Sequence, residues 1–239
     1  MYPWLKVGVR GSADWPKEET TLEFGGHKLL LKPATRETEQ SVHIELQGIS
    51  DVDALTLINR FLSTLSWCDD QPMENRYGWS GNRSPAPVPR ESRPIGSSIA
   101  FPFYRNLEPD KKARLALALF REARTANSIP FEFLSYFKIL NMFWKDGTTI
   151  IEGIRATLPK LKDELAISRL RALGNTERDV SAYLYESGRC AIAHAYADPI
   201  IDPDDVSDLR RLSEDLYIVK EIAERLIEVD LGVSRSIIG

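Results

Sequence analysis

The chain has 239 residues, 43% of them hydrophobic and 28% charged, with a formal net charge of −4. That is enough apolar material to bury a core in one large domain or two small ones, while the overall charge excludes general attraction to a polyanion, so any nucleic-acid contact needs a local basic surface. The first residues lack a basic segment followed by an apolar run, and no window approaches the ~20 apolar residues of a membrane span; a cytoplasmic protein with no membrane partner is expected.

Short strand-like runs come first. In residues 4–9, Leu5, Val7 and Val9 alternate with Lys6 and Gly8. Residues 20–24 and 28–32 flank Gly25-Gly26-His27, a hairpin connection in which the glycines supply positive φ. Residues 41–46 place Val42, Ile44 and Leu46 on one face. Ser50-Asp51 then opens a helix whose stripe is Val52, Leu55, Ile58, Leu62 and Leu65, packed on the small sheet and closed by Trp67. From residue 68 to 98 no periodicity survives: five prolines and three glycines make this a long loop, locally cationic through Arg76, Arg83, Arg90 and Arg93. It fits either a solvated loop or a weak RNA-binding surface. Trp67, Trp79 and Tyr77 have rings that could stack on bases, although Trp67 also fits the end of a core helix.

Near residue 108 the pattern turns helical. Leu115, Leu119, Phe120 and Ala123 define one helix starting at Asp110. Pro130 opens another, apolar nearly all round to Trp144, which suggests a central, buried position. Residues 148–173 carry one or two helices interrupted by Pro159 and stopped by Gly174. Asn175-Thr176 caps the next, which runs toward His194. Asp202-Pro203-Asp204-Asp205 starts the last, with an Asp cap and Pro at the first helical position, and its stripe runs from Val206 through Leu212 and Val219 to Ile227. The expected organisation is α+β: residues 1–107 form a small antiparallel sheet with one helix, and residues 108–239 an all-α bundle.

Candidate chemistry is sparse. Cys68 and Cys190 stand far apart and outside any Cys-x-x-Cys pair, which excludes a disulfide framework and a thiolate zinc site. His27 and His43 have no partner at ligand spacing and read as surface or half-buried strand residues, and Cys68, beside Asp69-Asp70, is a poor nucleophile. No metal or cofactor is expected. The loaded run is Arg189-Cys190-Ala191-Ile192-Ala193-His194-Ala195-Tyr196. A histidine can move a proton to or from a 2′-hydroxyl near neutral pH, and a guanidinium can grip phosphate oxygens and stabilise the charge of a phosphorane. On an α-helix, five residues are about 140° of rotation, so Arg189 and His194 are expected to splay apart, leaving an active site to be shared across a two-fold dimer. The same residues also fit a structural role, with Arg189 paired to Glu186 or Asp198 and His194 and Tyr196 finishing a helix.

Arg189-x4-His194-x-Tyr196, set between long helices, resembles the signature of the HEPN superfamily. The resemblance implies an HEPN-like helical bundle that dimerises and a metal-independent endoribonuclease of toxin–antitoxin, CRISPR or anti-phage systems, acting on RNA, with single-stranded RNA as the expected substrate. It implies Arg189 and His194 as catalytic, Tyr196 as a target for modification by an antitoxin nucleotidyltransferase, and an antitoxin or defence-system partner. Here Cys190, a weak donor, follows the arginine where the family usually has Asn, Asp or His; Cys190 therefore counts as a supporting residue. A non-catalytic HEPN-like interaction module is the alternative. Over more of the chain, residues 60–67 (Arg-Phe-Leu-Ser-Thr-Leu-Ser-Trp) and the Arg189-x-Ala-Ile-Ala-His-Ala run look like the MauJ-type proteins once named for methylamine utilisation.

Overall fold

Alternating apolar residues give the longer early strands one face for a core, and these strands pair into an antiparallel sheet. The computed structural model describes residues 2–89, 107, 109–194, 201–202 and 205–235. The chain divides into two compact units, residues 1–110 with 235–239, and residues 111–234. The architecture is α+β, with the sheet in the first unit and a helical bundle in the second.

In the first unit the strands are β1 (Trp4–Gly11), β2 (Thr20–Phe24), β3 (His27–Lys32), β4 (Thr38–Glu39), β5 (Ser41–Glu45), β6 (Met73–Asn82) and β7 (Val88–Pro89); α1 (Asp51–Asp69) lies between β5 and β6 in the chain. The main sheet has the order β2-β3-β5-β1-β6, and β4 pairs only with β7. Gly25 and Gly26, both at positive φ, turn the β2–β3 hairpin, and Phe24 faces His27 across it. One face of the sheet, with Leu5, Val7, Leu29, Leu31, Val42 and Ile44, packs with Ile58, Phe61, Leu62 and Leu65 of α1 into one core. Phe24 meets Phe61 edge to face at 5.6 Å. Ser50 caps α1 by accepting the Asp53 N–H.

Three expectations change here. The 68–98 stretch is not loop throughout: β6 runs ten residues along the edge of the sheet. Its alternation is hidden by Gly78 and Gly81 and by register shifts against β1. The buried face of α1 is also rotated from the expected stripe. Val52 and Leu55 are exposed, while Ala54, Leu57 and Phe61 are buried; at 100° per residue Val52 lies about 120° from Ile58. Third, His43 is fully buried, where a surface or half-buried strand residue is expected.

The second unit contains α2 (Lys111–Thr125), α3 (Ile129–Asn141), α4 (Gly147–Thr157), α5 (Glu164–Gly174), α6 (Val180–Tyr183), α7 (Ala191–Ala193) and α8 (Val206–Arg225). A π-helical turn, Leu184–Cys190, joins α6 to α7, and a second, Leu226–Asp230, follows α8. Pro159 sits in a 3-10 turn, Leu158–Lys160, between α4 and α5. α3 is the central helix in sequence and packing, contacting α2, α8 and the first π turn. It is not buried all round, for Phe131 is 66% exposed. Leu115 of α2 is exposed as well, because the face turned inward is a small-residue seam of Ala113, Ala116 and Ala123 with Leu117 and Phe120.

Two caps also move. Asp179, not Asn175-Thr176, caps α6: its carboxylate accepts the Ser181 and Ala182 N–H groups and pairs with Arg155 at 2.6 Å. The Arg155 bond, together with those backbone donors, holds the Asp179 carboxyl below the usual carboxylate range. The cap of α8 is Asp205, which accepts from Ser207 and Asp208. Any Asp in that run satisfies the capping rule; Asp205 is the one whose following residues begin the helix.

His43 generates a prediction. Its Nε2 bonds Ser41 Oγ at 2.8 Å. Burial, then the charges of Lys32 and Lys6, lower its pKa to about 3. The unfolded chain takes up this proton near pH 6.5, so the unfolded state binds more protons between pH 6.5 and about 3. Stability from this residue is therefore fully present above pH 6.5 and falls on acidification through that window, by at most about 1.4 kcal/mol per pH unit. Denaturant unfolding from pH 7 to 4 should show a shallower acid slope in His43→Gln than in the wild type; equal slopes would refute this origin.

Candidate functional site

The residues leading into the Arg189–His194 pair form a helical turn widened to i→i+5 bonding. In the π turn, the Ala191 N–H bonds the carbonyl of Glu186, five residues back, and that of Gly188. The helix then ends at His194, whose backbone is extended (φ −131°, ψ 102°). The result corrects the expected splay. Arg189 Nη1 lies 3.3 Å from His194 Nε2 within a single chain. A guanidinium has only donors, so it donates to Nε2 when that nitrogen carries its lone pair.

Cys190 belongs to the same cluster, its Sγ 3.8 Å from Arg189 Nη1. The Arg189 guanidinium sits 5.9 Å from the Tyr185 ring centroid. Burial, followed by the hydrogen bond to Cys190, pushes the Tyr185 phenol above its ordinary value, which keeps its proton in place. Arg189, Cys190 and His194 are each half-buried. Among the described residues no carboxylate pairs with Arg189: the Glu186 pairing is absent, and Asp198 lies outside them. Tyr196 also lies outside the described residues.

Beneath the turn lies a polar network that the sequence reading missed. Asp215 of α8 is fully buried. Its Oδ1 takes Arg169 Nε and Nη2, each at 2.8 Å. Its Oδ2 accepts from Tyr183 Oη at 2.9 Å and faces Arg211 Nη1 at 3.6 Å. Burial raises the Asp215 carboxyl above its ordinary range, opposed by these donors. Arg211 continues upward: Nη1 donates to Tyr183 Oη at 2.9 Å and Nη2 to the Ser187 carbonyl at 3.1 Å. A signal for this network was present, since Asp215 follows Leu212 by three and precedes Val219 by four, a carboxylate inside an apolar stripe.

The remaining candidates do not join the cluster. Arg76 lies on β6 and Arg83 just after it, exposed, both in the first unit. Arg90 and Arg93 lie outside the described residues. His27 begins β3, and Trp67 is fully buried in α1, as a core helix end requires. Among the described residues no group of three or more His, Cys, Asp or Glu side chains is arranged to hold a metal ion, and no helix is long and apolar enough to cross a membrane.

Two substitutions test this assembly. Gly188 is buried, and a Cβ there would stand 2.7 Å from Phe133 Cζ. Gly188→Ala should therefore destabilise the protein by about 1–3 kcal/mol through overpacking, measured by denaturant unfolding; an unchanged midpoint would show that α3 yields freely. Asp215→Ala strips the carboxylate from two arginines and should cost about 3–5 kcal/mol; a loss below about 1 kcal/mol, the scale of a surface pair, would mean the network is solvated in solution.

Comparisons with curated proteins and with solved structures return no match. A family model described as methylamine utilization protein MauJ matches residues 116–228. That span contains most of α2, the whole Arg189–His194 cluster and the buried network, and leaves out residues 60–67. The helical region of this chain is thus similar to MauJ.

Proposed function

We propose that this protein is a metal-independent endoribonuclease of HEPN type, working as a homodimer in the cytoplasm in a toxin or anti-phage defence role. The observation that carries the reading is the 3.3 Å approach of Arg189 Nη1 to His194 Nε2 within one chain. It puts a proton acceptor and a phosphate-gripping cation side by side, which RNA transesterification needs.

In the proposed reaction, His194 Nε2 removes the proton of a ribose 2′-hydroxyl. The 2′-oxygen attacks the adjacent phosphorus, and the bond to the 5′-oxygen breaks. Arg189 holds the non-bridging oxygens as charge builds on them. The departing 5′-oxygen takes a proton from an imidazolium, which a second copy of the chain would supply across a two-fold axis. The products are a 2′,3′-cyclic phosphate and a 5′-hydroxyl. Single-stranded RNA is the proposed substrate, since an unpaired backbone can bend for in-line attack, and the arginines at 76, 83, 90 and 93 are proposed to contact it. Tyr196, two residues past His194, is proposed as the position at which an antitoxin partner would modify the enzyme.

The alternative, a non-catalytic HEPN-like interaction module, draws on Phe131, 66% exposed beside a groove lined by Leu134 and Ala126. One experiment separates the two. Purified protein should cut single-stranded RNA in the presence of EDTA, leaving cyclic phosphate ends, and His194→Ala should lower the rate at least about a hundredfold. If wild type and His194→Ala are equally inert on varied RNAs and equally harmless in cells, the nuclease reading falls and the module reading stands.

A further inference from the structure

In an α-helix the Ala191 N–H would bond the carbonyl of Ser187, four residues back. In this chain it is turned to Glu186 and Gly188, and the Ser187 carbonyl accepts instead from Arg211 Nη2 at 3.1 Å. We propose that Arg211 is a positioning residue that holds the π turn in its widened register and thereby sets the meeting of Arg189 with His194. The substrate-facing pair is borne on one side of this turn, and Arg211 grips it from α8.

The grip is anchored at both ends of the guanidinium. Nη1 holds the Tyr183 hydroxyl at the start of the π turn, while Nη2 holds Ser187 in its middle. Tyr183 is itself fixed by donating to Asp215, and Asp215 by Arg169 of α5. A planar fork with fixed donor directions suits this two-point attachment; an ammonium at the same position could reach one acceptor or the other. Closing the turn to i→i+4 bonding would return the Ala191 N–H to Ser187, take that carbonyl from Arg211 and move the Arg189 end of the turn relative to α8.

Only the activity arm of the test rests on the ribonuclease reading. The direct readout is the 15N signal of His194 Nε2 at pH 8 in the full-length protein, compared across wild type, Arg189→Met, Arg211→Met and Tyr183→Phe, with thermal unfolding run alongside. Arg189→Met should shift the signal by removing its donor. Arg211→Met should shift it to the same value while the protein remains folded, and Tyr183→Phe should shift it part of the way. Arg211→Lys should resemble Arg211→Met. In RNA cleavage, Arg211→Met should lower kcat by about a hundredfold with little change in KM, the effect of misplacing a catalytic pair. If Arg211→Met does not fold, Tyr183→Phe decides. A signal that answers to Arg189→Met but not to Arg211→Met or Tyr183→Phe overturns the proposal. A wild type that cuts no RNA but shows these spectral shifts leaves the positioning role in place and removes the ribonuclease reading alone.

Discussion

A helical turn that holds an extra residue must redirect at least one backbone hydrogen bond, and something outside the helix must take up the group left over. Between α6 and α7 that group is the Ser187 carbonyl, and the donor that meets it is Arg211 of α8. The arrangement would not persist on local preference alone, since α-helical bonding is the better-satisfied alternative for an isolated segment. It depends on a buried carboxylate, Asp215, that fixes Tyr183 and is itself held by Arg169. It also depends on Gly188, whose lack of a side chain lets the turn lie against the Phe133 ring. The Arg189–His194 pair stands on these supports.

The cost of such a design is concentrated in one place. Asp215 has lost all contact with water and keeps its charge acceptable only through donors from α5, α6 and α8. Side chains from α5, α6 and α8 therefore converge on one carboxylate, and the same carboxylate underlies the turn that carries Arg189 and Cys190. Stability of the bundle and geometry of the candidate site are coupled through it.

Features set by neighbouring residues could be read from the sequence. The Gly25-Gly26 hairpin, the Ser50 cap of α1 and the breaks at Pro159 and Gly174 all follow from local rules, and the structure has them where those rules put them. Features set by distant residues could not. β6 exists because β1 offers it a pairing edge, and its glycines mask the alternation that would have announced it. The inward faces of α1 and α2 differ from the expected stripes because large apolar residues were weighted over alanines, yet Ala54, Ala113 and Ala116 are fully buried. The Arg189 and His194 spacing was visible, but an α-helical rotation separated the two; in the structure the helix ends at His194 in extended backbone and the two side chains meet.

The small sheet raises a different point. Lys6 and His43, directly paired across β1 and β5, are both buried, so the polar face of the sheet is covered at this pair. The π turn, by contrast, makes chain length itself a functional variable. Elsewhere in the bundle a residue gained or lost in a connection would be absorbed locally. Between residues 184 and 190 a single-codon deletion could restore an ordinary helix and take from Arg211 the carbonyl that it holds.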